Sequence, residues 1–172
     1  SMHIDLSTLL ELVDLTRYCA SARNGQPLKY ILSSEATKNR RIFPHLAWAG
    51  YLKGWPGPEA GERPTAYIVV LGDKQISKSF DCDHGIAAQS ILLGAVERGY
   101  GGCIVASVKR DALRAELEIE AHLEILFVIA LGKPAETVHI EPLGKDGSIV
   151  YWRDENDEHH VPKRALEEIV IG

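Results

Sequence analysis

"CASARNGQPLKYIL", residues 19–32, packs Ser21, Arg23, Asn24 and Gln26 into one short polar run and closes it with Pro27. Ahead of it, residues 5–19 place Leu6, Leu9, Leu10, Val13 and Leu15 at helical spacing, which predicts an amphipathic helix with Thr8 and Glu11 as a capping box. Behind it, residues 28–33 predict a short strand. A polar turn between two core elements has two readings. Ser, Asn and Gly favour turns, so Ser21 and Asn24 end the helix while Gly25 supplies a positive φ. Alternatively, the amides of Asn24 and Gln26 carry both donors and acceptors, and with Arg23 they suit the polar edge of a planar heterocycle such as a flavin or a nucleobase.

Working outward, residues 35–42 predict a short helix limited by Pro44. "GYLKGWPGPEAGERP", residues 50–64, is dense in Gly and Pro and predicts a long loop of the kind that serves as a lid. Trp48, Tyr51 and Trp55 are its candidates for stacking on a ligand or for packing the loop down, two roles of equal weight. "TAYIVVLGD", residues 65–73, and "LEILFVIALGKP", residues 123–134, predict two central strands. Residues 84–98 predict a buried helix with Ile86, Ala87, Ser90, Ile91, Gly94 and Ala95 on its packed faces. "GYGGCIVAS", residues 99–107, predicts a glycine-rich turn and a short buried strand, and residues 109–117 a surface helix. In "HHVPKRALEEIVI", residues 159–171, Pro162 is placed to begin a short helix or an extended arm. Alternating helices and strands predict an α+β or α/β sandwich around one sheet, as one domain over residues 1–172.

Composition narrows the function classes. The 172 residues carry a net charge of -5 and no basic stripe, which argues against nucleic acid. No apolar run reaches the roughly 18 to 20 residues of a membrane helix, and no signal peptide is expected. Ser1 ahead of Met2 reads as an expression remnant. Cys19, Cys82 and Cys103 are odd in number and dispersed, so a reducing cytoplasm is expected in place of a disulfide framework. "DCDH", residues 81–84, with His159 and His160, sketches a metal site. No second ligand pair has metal spacing, so the preferred reading is a helix N-terminus capped by Asp83, with no metal. Cys82 and Cys103 read as small buried hydrophobes, with nothing visible to activate a thiol. Residues 155–158 read as a solvated turn.

Four segments taken together are more specific than any one. "SARNGQPLKYIL", "DHGIAAQSILLGAVERGYGGCIVAS", "EILFVIALGKP" and "VPKRALEEIV", in that order and spacing, resemble the nitroreductase family of FMN-dependent oxidoreductases. The resemblance runs from about residue 8 to the end, with Ser-x-x-Asn-x-Gln-Pro as its most recognisable element. It implies an α+β three-layer sandwich, with a central mixed, mainly antiparallel sheet flanked by helices. It further implies a homodimer with FMN at its interface, moving hydride from NADH or NADPH through flavin N5 to a quinone, nitroaromatic or similar acceptor. By position, Asn24 matches the asparagine at the flavin's polar edge, with Ser21, Arg23 and Gln26 in the same element. Ile104, Val105, Ala106 and Ser107 match the segment that offers a backbone N–H near N5. Lys163 and Arg164 fall where the family places cations for the phosphate, which charge-assisted partners suit. The cofactor supplies the chemistry, so no catalytic acid or base is expected. The family's N-terminal Arg-x-Ser-x-Arg element has no counterpart here, which keeps open an alternative, a non-catalytic dimer of the same fold with weakened or altered flavin or small-ligand binding.

Overall fold

A computed structural model describes residues 3–172, so the expected remnant at Ser1 and Met2 lies outside the described residues. The chain divides into two compact units, Ser1–Trp48 with Pro58–Lys133, and Ala49–Gly57 with Pro134–Gly172.

The first unit contains α1 (Leu6–Asp14), β1 (Leu28–Ser33), α2 (Ala36–Ile42), β2 (Ala66–Asp73), α3 (Asp83–Glu97), β3 (Gly101–Val105), α4 (Arg110–Glu116) and β4 (Leu123–Gly132). Its sheet runs β1-β2-β4-β3, with every neighbouring pair antiparallel. Every residue of β2 is buried, because both faces of the sheet are covered. Alternation sends Ala66, Ile68 and Val70 toward Leu9 and Leu12 of α1 and Ala88, Ile91 and Ala95 of α3. Tyr67, Val69 and Leu71 point the other way, toward Ile42 of α2 and Leu113 of α4. Helix, sheet and helix therefore form the three layers of an α+β sandwich, each buried Ile, Leu or Val contributing about 1.5–3 kcal/mol. Burial also pushes the Tyr67 hydroxyl far above its ordinary pKa. Between β2 and β4 the register jumps from Val70–Phe127 to Leu71–Ile125, so Leu126 is the extra residue of a β-bulge.

Several local expectations change. The cap of α1 is Asp5, whose Oδ1 accepts the Thr8 N–H at 2.8 Å, so Thr8 and Glu11 form no capping box. Asp prevails because its short carboxylate reaches the free N–H groups of the first turn. α1 ends at Asp14, and Leu15–Tyr18 continues as a 3-10 turn. On α3, Ala87, Ala88, Ile91 and Ala95 are buried, but Ile86 is 36% exposed and lies with Leu93 and Val96 on an outer face. Gly94 is a close approach: a Cβ there would sit 2.4 Å from Leu15 Cδ1. β3 is an edge strand with Gly102, Cys103 and Ile104 exposed within the unit, and so is not the buried strand expected. An apolar pentapeptide does not by itself distinguish an edge from a centre. Cys82 is exposed too, so neither of these cysteines is a buried hydrophobe.

Residues 50–64 form no helix or strand, as expected. Trp48 stacks on Phe43 in the first unit, their ring centroids 5.6 Å apart.

The second unit contains β5 (Val138–Pro142), β6 (Trp152–Arg153), β7 (His159–Lys163) and α5 (Leu166–Ile169). β7 lies between β5, which is parallel to it, and β6, which is antiparallel. Pro162 does not begin a helix; it lies within β7, opposite Glu141. β6 pairs only with His159 and His160, so at Pro162 the strand has a neighbour on one side alone, where a missing N–H is tolerated. Tyr51 packs edge-on to Tyr151 at 5.0 Å, and the Arg153 guanidinium sits 4.8 Å from the Trp55 ring centroid. No helix among the described residues is long and apolar enough to cross a membrane.

Candidate functional site

The opening polar run folds into a turn of uncommon backbone. Arg23, Asn24 and Gln26 have φ of 54°, 55° and 51°. Asn tolerates this left-handed region, whereas for other L-residues it costs roughly 1–2 kcal/mol each. Gly25, expected to supply the positive φ, is right-handed at φ -71°. The strain falls on the polar residues.

Asp83 holds the turn in place. It is the first residue of α3 and is 5% exposed. Its Oδ2 accepts the Ser21 hydroxyl at 2.6 Å and its Oδ1 accepts the Ala22 N–H at 2.9 Å. Ser21 Oγ in turn accepts the Gln26 N–H at 2.9 Å. The Gln26 amide donates to Asn24 Oδ1 at 3.1 Å and to the Asn24 carbonyl at 3.2 Å. Asp83 is therefore not the helix cap; Cys82 occupies that position without a side-chain bond. The Asp83 carboxylate keeps its favourable place at the positive end of α3 while it binds the turn.

The turn leaves Arg23 and Asn24 on the surface. The Arg23 guanidinium makes no ion pair or hydrogen bond among the described residues. It borders a cavity of about 330 Å³ with Pro27, Lys78, Ser79 and Phe80. Lys78 and Arg23 give that wall two cations, and Asp81 and Asp83 oppose them with two carboxylates. A shallower depression beside the start of α3 is lined by Cys82, His84, Gln89 and Ser90.

The second candidate segment leaves β3. Ile104 is 43% exposed, Val105 points into the core, and Ala106 and Ser107 are exposed. The Ala106 carbonyl accepts the Val108 N–H at 3.0 Å and Arg110 Nη2 at 3.2 Å. The Ser107 carbonyl accepts the Ala47 N–H at 2.9 Å. The Ser107 N–H meets no acceptor among the described residues. Val105 can contribute its backbone to a ligand but not its buried side chain.

Lys163 and Arg164 belong to the second unit. They precede α5, whose first residue is Leu166, and Arg164 lies 3.8 Å from Glu168. The Glu168 carboxylate also accepts the Ala165 N–H at 3.0 Å. A four-residue helix headed by its own glutamate offers no N-terminal dipole to a phosphate, so these cations act through their side chains alone. His159 and His160 are engaged by Glu136, Glu141 and Asp154.

The sequence reading brought Ser21, Arg23, Asn24 and Gln26 together correctly as one turn. It missed Asp83 as their anchor, because that partner stands 62 positions from Ser21 and nothing local marks the pairing. It also missed Arg110, read as an ordinary residue of a surface helix.

Comparison with known proteins places these elements. A model described as the nitroreductase family matches residues 1–133. A nitroreductase family protein from Clostridium novyi NT is 25% identical, over 78% of this chain and 77% of its own, with a TM-score of 0.65. The nitroreductase family protein of Streptococcus pneumoniae TIGR4 is 15% identical over 100% of this chain and 92% of its own, with a TM-score of 0.71. An FMN-dependent nitroreductase from Clostridium difficile R20291 is 18% identical over 78% of this chain and 79% of its own, with a TM-score of 0.63.

Proposed function

This chain belongs to the nitroreductase family, and from that premise we propose that it is an FMN-dependent oxidoreductase, with NADH or NADPH as donor and a quinone, nitroaromatic or similar small molecule as acceptor. It acts as a cytoplasmic homodimer with FMN at the interface. When bound, FMN supplies the chemistry, accepting a hydride and passing on two electrons.

The observation that carries the proposal is the strained turn at residues 21–26. Three left-handed residues, held from below by a buried carboxylate, keep an arginine and an amide at the surface. Backbone strain concentrates where a ligand is held. The chemistry of these donors fits a flavin: Asn24 and Arg23 suit the carbonyl and N–H groups of its polar edge, with Ser21 and Gln26 supporting them. The free Ser107 N–H supplies the unsatisfied donor that an in-plane ring nitrogen needs, with Ile104, Val105 and Ala106 leading the backbone to it. Lys163 and Arg164 are the cations for the phosphate, on their chemistry. No side chain is assigned as a catalytic acid or base.

The test is spectroscopic. Protein titrated with FMN is expected to bind it at micromolar concentration and then to oxidise NADH or NADPH when a quinone is added. Absence of both flavin binding and NAD(P)H oxidation overturns the proposal. Flavin binding without oxidation supports the non-catalytic dimer.

A further inference from the structure

Resting on the flavin reading above, we propose that Arg110 is a positioning residue: it sets the direction of the Ser107 N–H that faces the flavin. The Ala106 carbonyl and the Ser107 N–H belong to one peptide unit. That unit is planar and trans, so its C=O and N–H point in opposite directions. Whatever fixes the carbonyl therefore aims the N–H.

Two donors fix it. One is the Val108 N–H at 3.0 Å, which closes a three-residue turn within the loop itself and does not tie the peptide to the sheet. The other is Arg110 Nη2 at 3.2 Å. The same Nη2 donates its second proton to the Leu126 carbonyl at 2.8 Å, and Nε donates to the Ile125 carbonyl at 2.9 Å. Leu126 is the extra residue of the β4 bulge, where the regular ladder is interrupted. One guanidinium thus ties the 106–107 peptide to the central sheet through three carbonyls. A rigid planar fork can do this, whereas the single point charge of a lysine cannot. The cation also polarises the peptide, which strengthens the opposite N–H as a donor. The bulge acquires a purpose: it presents two carbonyls to the arginine that orients a peptide one strand away.

The test compares FMN with 5-deaza-FMN, in which a C–H replaces the ring nitrogen that accepts from the N–H. The wild type is first titrated with FMN; failure to bind overturns the proposed function, and the Arg110 role with it. With binding in hand, the wild type is expected to prefer FMN over 5-deaza-FMN by about fivefold, the worth of one net hydrogen bond. In Arg110→Met that preference falls toward one. Arg110→Lys, which keeps the charge without the fork, lies between. The Ser107 amide resonance of flavin-free Arg110→Lys also shifts, while amides of β2 stay in place. A wild type with no preference, an Arg110→Lys protein with an unmoved Ser107 amide, or substituted proteins that keep the full preference would each overturn the role of Arg110. The last two would leave the flavin assignment standing.

Discussion

Arg23, Asn24 and Gln26 are held in a conformation that L-residues avoid, and the Asp83 carboxylate is the group that holds them. Removing it strands the Ser21 hydroxyl and the Ala22 N–H. Asp83→Ala should therefore cost about 1–3 kcal/mol of stability, read as a lower urea midpoint, with FMN affinity falling in parallel. Asn24 separates recognition from conformation. Glycine accepts the left-handed backbone without strain, so Asn24→Gly deletes the amide but leaves the turn. It should weaken FMN by roughly 1–3 kcal/mol at an unchanged melting temperature. Unchanged FMN affinity with a lowered melting temperature would assign Asn24 to the turn alone. At this scale the sequence showed which residues gather, because they are neighbours in one turn-forming polar run. It did not show what anchors them, because anchoring depends on a residue brought near by folding.

Among the elements, β2 and β4 were legible because a strand covered on both faces reads as a continuous apolar run. β3, Gly-Gly-Cys-Ile-Val, carries no charged or strongly polar side chain, and strand order reveals it as an edge. β7 hid behind Pro162, whose usual signal is the first turn of a helix. The small sheet of the second unit carries a pH dependence. His160 lies between the rings of Trp152 and His139, at 5.1 and 5.0 Å. Its Nδ1 meets Glu141 at 2.8 Å on β5, and its Nε2 faces Asp154 at 3.7 Å beyond β6. Glu158 engages His139 at 2.7 Å, which completes the charged surroundings. The hydrogen bond that His160 donates to Glu141, aided by Asp154, raises the His160 pKa above the ordinary 6.5. Hydrogen bonds from the backbone of Glu158 and Asn156 and from His160 hold the Asp154 carboxyl below 3.8. A raised histidine stabilises the fold fully below 6.5, and that contribution is lost as pH climbs through the raised value. A lowered carboxyl stabilises above 3.8, and that contribution is lost as pH falls through the lowered value. Amide exchange in β6 and β7 should thus be slowest between these limits and quicken on both sides, beyond the ordinary pH dependence of exchange. In His160→Gln the alkaline quickening should vanish; its persistence would remove His160 as the cause.

For the whole molecule, the family match ends at residue 133, where the first unit also ends at Lys133. The three-layer body was legible from the first three of the four spaced segments; the last lies in the second unit. The second sheet was not, since its strands are short and interrupted by charged and turn-forming residues. Lys163 and Arg164 lie in that second unit, and the phosphate-binding role proposed for them is open to a direct test. Replacing both with alanine should remove charge-assisted bonds of about 1.5–3 kcal/mol each from the FMN phosphate. Riboflavin, which has no phosphate, should bind the double variant nearly as it binds the wild type. Equal losses for both flavins, or no loss for either, would show that the pair does not read phosphate.

The pairing of β2 with β4 has a consequence for how the chain reaches this state. The two central strands are not consecutive; α3, β3 and α4 intervene between Asp73 and Leu123. Until β4 arrives, β2 has only β1 beside it, and β3 has no partner at all. Closing so long a loop is paid in chain entropy before any sheet contact rewards it, which slows folding and favours a late, concerted step. A ribosome must therefore release residues through Gly132 before the sheet can form, and until then β2, buried at every position in the finished fold, waits half-covered.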